Sequence, residues 1–248
     1  MATFVLVHGG WCASWCWDFN VPALEKAGHK VLNLNLPGHG DNQSKPLEEV
    51  HLADHVKYIE EVLSGLDEKV ILVAHSMTGM VISQVAEDMP EKIDRLVYFA
   101  AFLPEADGVK MDKYLVEDPW TLVSDKTVVY LPNGLCTFDM RYGRNMGFNT
   151  TPDELFFFSA THMQLECPNM WHEPVHITER FAAVPKFYIH TLKDNCCSYF
   201  IQRVMVQKQP VYKEYYIDAD HTAMIDRAEE TNAILLDIAN QPLGAPGQ

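Results

Sequence analysis

Apolar positions cluster along the chain in short consecutive runs, separated by stretches in which they recur every three or four residues. Runs at 3–7, 30–34, 69–74, 95–99, 186–190 and 213–217 are of strand length, and most are rich in Val, Ile, Leu, Tyr or Phe. Consecutive rather than alternating apolar residues suit strands covered on both faces, as in a parallel sheet. Between these runs, 17–27, 52–64, 77–89, 198–207 and 227–239 read as helices; in the second, Leu52, Val56, Ile59 and Leu63 fall on one face. Alternating β and α elements predict a doubly wound α/β sheet with right-handed crossovers.

The rhythm breaks after Leu103 and resumes at Lys186. The intervening stretch is dense in proline (Pro104, Pro119, Pro132, Pro152, Pro168, Pro174) and in Met and aromatic residues such as Met111, Trp120, Met146, Phe148, Phe156, Phe157, Phe158, Met163 and Trp171. It reads as a cap, residues 104–185, inserted as a subdomain into a core of 1–103 and 186–248. Within it, 153–164 predicts a helix with Thr151 as N-cap ahead of Pro152. The apolar side chains suit packing of cap onto core first and a pocket lining second. No internal repeat is visible, and the tail from Gln241 onward reads as loose.

Composition narrows the function classes. The 248 residues carry 19 Lys and Arg against 34 Asp and Glu, a formal charge of −15 with a sequence pI near 5.0. That balance argues against gripping nucleic acid or an anionic membrane by bulk charge. A hydrophobic fraction of 48% excludes a largely disordered chain. No run approaches the roughly 20 apolar residues of a membrane span, and the first residues read as a core strand rather than a signal peptide. The cysteines (Cys12, Cys16, Cys136, Cys167, Cys196, Cys197) are sparse and not spaced as a disulfide framework, so free thiols in the cytoplasm are expected, with adjacent Cys196 and Cys197 read as small buried hydrophobes rather than a redox pair.

The strongest chemical signal is Val70-Ile71-Leu72-Val73-Ala74-His75-Ser76-Met77-Thr78-Gly79, where a strand runs into a serine and a helix begins at once. A tight strand-to-helix turn lifts the Ser76 hydroxyl above the sheet, beside free backbone N–H groups able to stabilise an oxyanion. By itself the same serine would serve as a helix N-cap. A strand ending in His8-Gly9-Gly10 offers backbone that can approach a bound oxygen closely. Late in the chain Asp194 follows one strand and His221 follows the next. Parallel strands place all these loops at the carboxyl edge of the sheet, where open α/β folds bind ligands. The order Ser, Asp, His is that of the α/β-hydrolase triad. Asp218 and Asp220 compete for the carboxylate role, but lie awkwardly close to His221 in sequence.

On these residues the chain resembles the α/β-hydrolase superfamily, and within it the small branch of plant methyl-ester esterases, hydroxynitrile lyases and their bacterial relatives. The resemblance spans nearly the whole chain. It rests on Phe4 to Gly10, Trp15 with Trp17, Leu36-Pro37-Gly38-His39-Gly40, the Ser76 elbow, Leu96 to Pro104, Asp194 with Phe200 and Gln202, and Asp220-His221; the cap adds little. The resemblance implies a mainly parallel six-stranded sheet with helices on both faces. It also implies Ser76 as nucleophile, His221 as general base, Asp194 as its orienting carboxylate, and the Gly10 and Met77 amides as oxyanion hole. No cofactor and no metal are expected.

The sequence departs from that pattern in places. The Gly-x-Ser-x-Gly pentapeptide reads Ala74-His75-Ser76-Met77-Thr78, with Gly79 one place later, so β-branched Thr78 either crowds the elbow or adds a polar contact. Hydroxynitrile lyases of the branch carry Lys after the catalytic His and Thr after the first-strand His; here these places hold Thr222 and Gly9. The expectation is therefore a serine carboxylesterase acting on small, largely apolar esters. The alternatives are a hydroxynitrile lyase or other C–C-cleaving enzyme on the same triad, and a non-catalytic ligand-binding member of the fold. The expected partner is a small ester; a homodimer stays open. His172-Glu173-Pro174-Val175-His176 matches the H-E-x-x-H metal pattern, but Pro174 breaks the helix that pattern requires. His51 and His55 read as solvated, and His8 and His39 as loop-stabilising.

Overall fold

The structure, a computed structural model, describes residues 1–243. Strands β1 (Thr3–Val7), β2 (Lys30–Leu34), β3 (Val70–His75) and β4 (Ile93–Phe99) form the first half of the chain with helices α1 (Val21–Lys26), α2 (Leu52–Ser64) and α3 (Thr78–Asp88). A long connection follows. It contains α4 (Met111–Glu117), the hairpin β5 (Val128–Tyr130) and β6 (Cys136–Phe138), then α5 (Met140–Gly147), α6 (Asp153–His162) and α7 (Glu179–Ala183). The chain closes with β7 (Lys186–Thr191), α8 (Tyr199–Lys208), β8 (Lys213–Ile217), α9 (Ala223–Asp226) and α10 (Ala228–Asn240). The main sheet has six strands in the order β2-β1-β3-β4-β7-β8, every pairing parallel.

The consecutive apolar runs have a direct explanation. Val5, Val7, Leu72, Ala74, Leu96, Tyr98 and Tyr188 face one layer with α2, α3 and α8, while their sequence neighbours Phe4, Leu6, Ile71, Val73, Val97, Phe99, Phe187 and Ile189 face the other with α1 and α10. Side chains alternate across a strand, so covering both faces demands apolar residues at successive positions. The outer strands β2 and β8 are partly exposed and correspondingly carry Lys, Asn and Glu.

Some local expectations fail. The stretch 17–27 is not one helix: a 3-10 turn over Ser14–Trp17 buries Trp15 and Trp17, and α1 starts only at Val21, where Pro22 fixes the first turn. Thr151 does not cap α6. Pro152 holds that place, and the Thr151 N–H and hydroxyl both donate to Asp220 (2.9 Å each). His55 is buried rather than solvated, packed toward His39, while His51 is exposed and pairs with Glu173. The β5–β6 hairpin and the short helices α4, α5 and α7 had no clear signal. Of the tail, Gln241 donates to Asp237 and Leu243 packs on the core, whereas 244–248 lie outside the described residues. Among the described residues no helix is long and apolar enough to cross a membrane.

Candidate active site

Strand β3 ends at His75, and the next residue, Ser76, takes φ +59° before α3 begins at Thr78. A left-handed non-glycine residue costs of order 1 kcal/mol or more and persists only when its surroundings over-determine it. Here they do: Ser76 N–H donates to the Phe99 carbonyl (3.3 Å), and the Ser76 carbonyl accepts from Gly79 (3.2 Å) and Phe102 (3.0 Å). The turn holds the half-exposed serine above the sheet edge.

Close approach explains two glycines at this elbow. A Cβ on Gly79 would lie 2.2 Å from the Phe102 carbonyl oxygen, and one on Gly9 would lie 2.6 Å from His75 Nδ1 and 2.8 Å from Ser76 Cβ. Neither position admits a side chain without movement of the backbone. Thr78, by contrast, is accommodated: buried, it turns its hydroxyl onto the His75 carbonyl (2.8 Å). It therefore supplies an added polar contact at the first turn of α3.

Asp194 follows β7 and is buried. Its Oδ1 accepts from the Cys196 and Cys197 amides (2.7 and 2.9 Å), and its Oδ2 accepts from the Thr191 hydroxyl (2.8 Å), the Gln202 amide (3.2 Å) and His221 Nδ1 (2.7 Å). An ionised carboxylate can only accept, so His221 donates from Nδ1 and leaves Nε2 free to take a proton. Ser76, His221, Gly10 and Met77 line one cavity. Among the described residues the Ser76 hydroxyl makes no hydrogen bond, and neither the Gly10 nor the Met77 amide donates to a protein acceptor.

Part of the cavity wall comes from the β4–β7 connection: Met111 and Leu115 of α4, Phe138 of β6, Met146 of α5, Phe148 and Met163 just past α5 and α6, and Trp171 of a 3-10 turn over Pro168–His172. Among the described residues no Lys, Arg, Asp or Glu lines the cavity. Trp11 meets Phe138 and Trp171 edge-to-face at 5.5 and 5.6 Å. Cys196 also lines the cavity, and burial pushes its thiol well above the usual range, so it stays protonated and unreactive. The described cysteines are all free and buried.

His75 underlies the site. Its Nε2 donates to the His221 carbonyl (2.9 Å) and its Nδ1 has no partner. Complete burial, reinforced by the neighbouring His221, holds its pKa well below the ordinary value, so the ring is neutral. Asp220, a rival for the orienting role by sequence, points elsewhere, accepting from the Thr150 and Thr151 amides and hydroxyls and from Thr222. Asp218 pairs with Lys193 (2.8 Å). His172 and His176 turn to different carboxylates, Asp112 and Asp107, and Glu173 caps the start of α2.

Several contributors escaped the sequence. Thr191 and Gln202 steady Asp194, and in the sequence Gln202 stands out only through the family resemblance. Glu166 is wholly buried, with its carboxylate on the Trp11 amide (3.1 Å) and His39 (3.2 Å). Its sequence context, Gln164-Leu165-Glu166-Cys167-Pro168, carries no periodic signal that would mark a buried acid.

Residues 4–234 match the model of the alpha/beta hydrolase family, and the chain belongs to that family. It is 32% identical to methylesterase 7 of Arabidopsis thaliana over 96% of both chains, and 29% identical to polyneuridine aldehyde esterase of Rauvolfia serpentina over 96% of this chain and 95% of the relative. Against the crystal structure of polyneuridine aldehyde esterase the TM-score is 0.85 at 27% identity, covering 97% of this chain and all of that one.

Proposed function

We propose that the protein is a serine carboxylesterase that hydrolyses small, largely apolar esters, methyl esters of apolar acids foremost, through an acyl-enzyme. What carries the reading is one arrangement: Ser76 on a strained elbow and His221, bonded to Asp194, lining the same uncharged cavity. Relatives named methylesterase and esterase support the ester class.

In this reading His221 Nε2 removes the hydroxyl proton as Ser76 Oγ attacks the ester carbonyl. Asp194 keeps the tautomer and stabilises the imidazolium. The Gly10 and Met77 amides hold the oxyanion, with Met77 at the positive end of α3. The tetrahedral intermediate collapses as His221 returns the proton to the leaving alcohol. Water activated by His221 then cleaves the acyl-enzyme and regenerates the Ser76 hydroxyl.

Residues 104–185 act as a cap that closes an apolar chamber on the core of 1–103 and 186–248. Charged acyl or alcohol groups are disfavoured there, because no countercharge awaits them. A lyase would need a cation near its leaving group; Thr222 stands where such a lysine would be, and among the described residues no Lys or Arg lines the cavity. Free buried thiols suit a reducing cytoplasm. A panel of methyl, ethyl and p-nitrophenyl esters with neutral and charged acyl groups, assayed beside a cyanohydrin, tests the reading. Turnover confined to neutral esters is expected; cyanohydrin cleavage without ester hydrolysis would reject it.

A further inference from the structure

The loop that carries Gly10 is held from outside the sheet. Trp11 adopts φ +58°, a left-handed conformation that a bulky residue keeps only under restraint. Its N–H donates to Glu166 Oε2 (3.1 Å), its carbonyl accepts from the Gln164 amide (2.9 Å), and its indole N–H reaches the Cys136 carbonyl (3.2 Å). Every one of those partners belongs to the segment 104–185. A Cβ added to Gly10 would lie 3.5 Å from the same Glu166 oxygen. The carboxylate therefore stands beside the place where negative charge would develop.

A lone buried anion there would oppose an oxyanion, and Glu166 is not alone. His39 Nε2 lies 3.2 Å from Glu166 Oε2, and His39 Nδ1 lies 3.2 Å from the Pro37 carbonyl. Both ring nitrogens face acceptors, which only an imidazolium satisfies. Burial disfavours the charged ring, yet Glu166 holds the His39 pKa above its usual value. Burial likewise opposes ionisation of Glu166, and His39 holds its carboxyl below the usual range. The other titratable rings facing the pair, His8 at 5.0 Å and His55 at 6.1 Å between centroids, are buried with depressed pKa values and stay neutral. The remaining Glu166 oxygen accepts from the Cys167 amide (2.9 Å).

We infer that Glu166 and His39 are positioning residues for ester hydrolysis: the carboxylate fixes the Gly10–Trp11 backbone so that the Gly10 N–H is set for the oxyanion, and the imidazolium cancels the charge this would otherwise place beside it. This rests on the serine-esterase reading above. It also makes cap closure a condition of activity, since the acceptor for Trp11 comes from the cap.

The test uses the full chain, with p-nitrophenyl acetate turnover and the rate of fluorophosphonate labelling at Ser76 measured below each variant's unfolding temperature. An oxyanion donor is worth about 100-fold or more in rate, so a misaligned one in Glu166→Leu should lower kcat by about thirtyfold, with KM little changed and phosphonate labelling slowed in parallel. Glu166→Gln, which retains an acceptor oxygen, should recover most of that loss. His39→Gln should lower kcat about tenfold by leaving the carboxylate uncompensated, and adding Glu166→Gln to it should restore activity, a non-additive cycle. If Glu166→Leu does not fold, the His39→Gln and Glu166→Gln cycle decides alone. Unchanged kcat in His39→Gln, or losses that simply add in the double variant, would overturn the inference. Wild-type protein that hydrolyses no ester and is not labelled at Ser76 would instead overturn the esterase reading itself.

Discussion

Asp220 Oδ2 accepts from both the backbone N–H and the hydroxyl of Thr151, at 2.9 Å each, so the loop that carries His221 is tied to the start of α6 by one buried carboxylate. The same carboxylate takes the Thr150 amide (2.7 Å) and, through Oδ1, the Thr222 amide (3.0 Å). Removing a buried acceptor strands its donors, at about 1–3 kcal/mol for each unsatisfied group. Asp220→Ala should therefore destabilise the protein by about 3 kcal/mol or more, seen as a lower urea midpoint with an unchanged slope. A loss under about 0.5 kcal/mol, the range of ordinary surface changes, would show that water replaces the carboxylate at no cost.

Beside Asp220, the Asp226 side chain is fully buried, with Oδ1 unpartnered. Burial first and then the Asp220 charge push its pKa up from 3.8 to about 6. Between those values the folded state holds a proton that the unfolded state has lost. This contribution to stability is therefore fully present below about pH 4, declines as pH rises through 6, and is gone above it. Asp226→Asn should raise the melting temperature at pH 8 by about 5 °C, for a gain of at most about 3 kcal/mol, and by little at pH 4. Equal shifts at both pH values would contradict the assignment.

Three buried histidines act in the opposite direction. Burial holds His8 and His75 well below the ordinary value and brings His55 down to about 4. The unfolded chain binds protons at these groups near pH 6.5 while the folded chain does not, so stability is present above 6.5 and falls as the solution is acidified toward 4. Because His55 Nδ1 lacks a partner, His55→Leu forfeits little and should flatten the acid limb of a urea-denaturation series. An acid limb as steep as wild type would show that other groups dominate it.

Most of the sheet was legible because covering both faces forces consecutive apolar residues, a strong signal even in a five-residue run such as Thr3–Val7. The elbow was legible because strand, serine and helix are contiguous. The convergence of Asp194 with His221 followed from loops sharing one sheet edge. What stayed hidden acts across long sequence separations with no periodicity: Glu166 reaching Trp11, Asp220 reaching Thr151, and His55 turning inward on His39. Each is a polar residue whose burial is decided by the segment packed over it. A local pattern reports only its own element.

The departure at the elbow gives a paired prediction. Thr78→Ala loses one hydroxyl bond to the His75 carbonyl and should cost about 1 kcal/mol with turnover largely kept. Gly79→Ala drives a methyl to 2.2 Å from the Phe102 carbonyl oxygen and should cost more than about 3 kcal/mol, or abolish folding. Comparable melting temperatures for the two variants would refute the close-approach explanation.

Ser76 is the proposed nucleophile, and active-site labelling tests that role most directly. Purified protein treated with a fluorophosphonate until esterase activity is lost should carry one adduct, located by peptide mass on Ser76, and the Ser76→Ala variant should neither label nor turn over while melting close to wild type. An adduct on another residue, or an active Ser76→Ala protein, would contradict it.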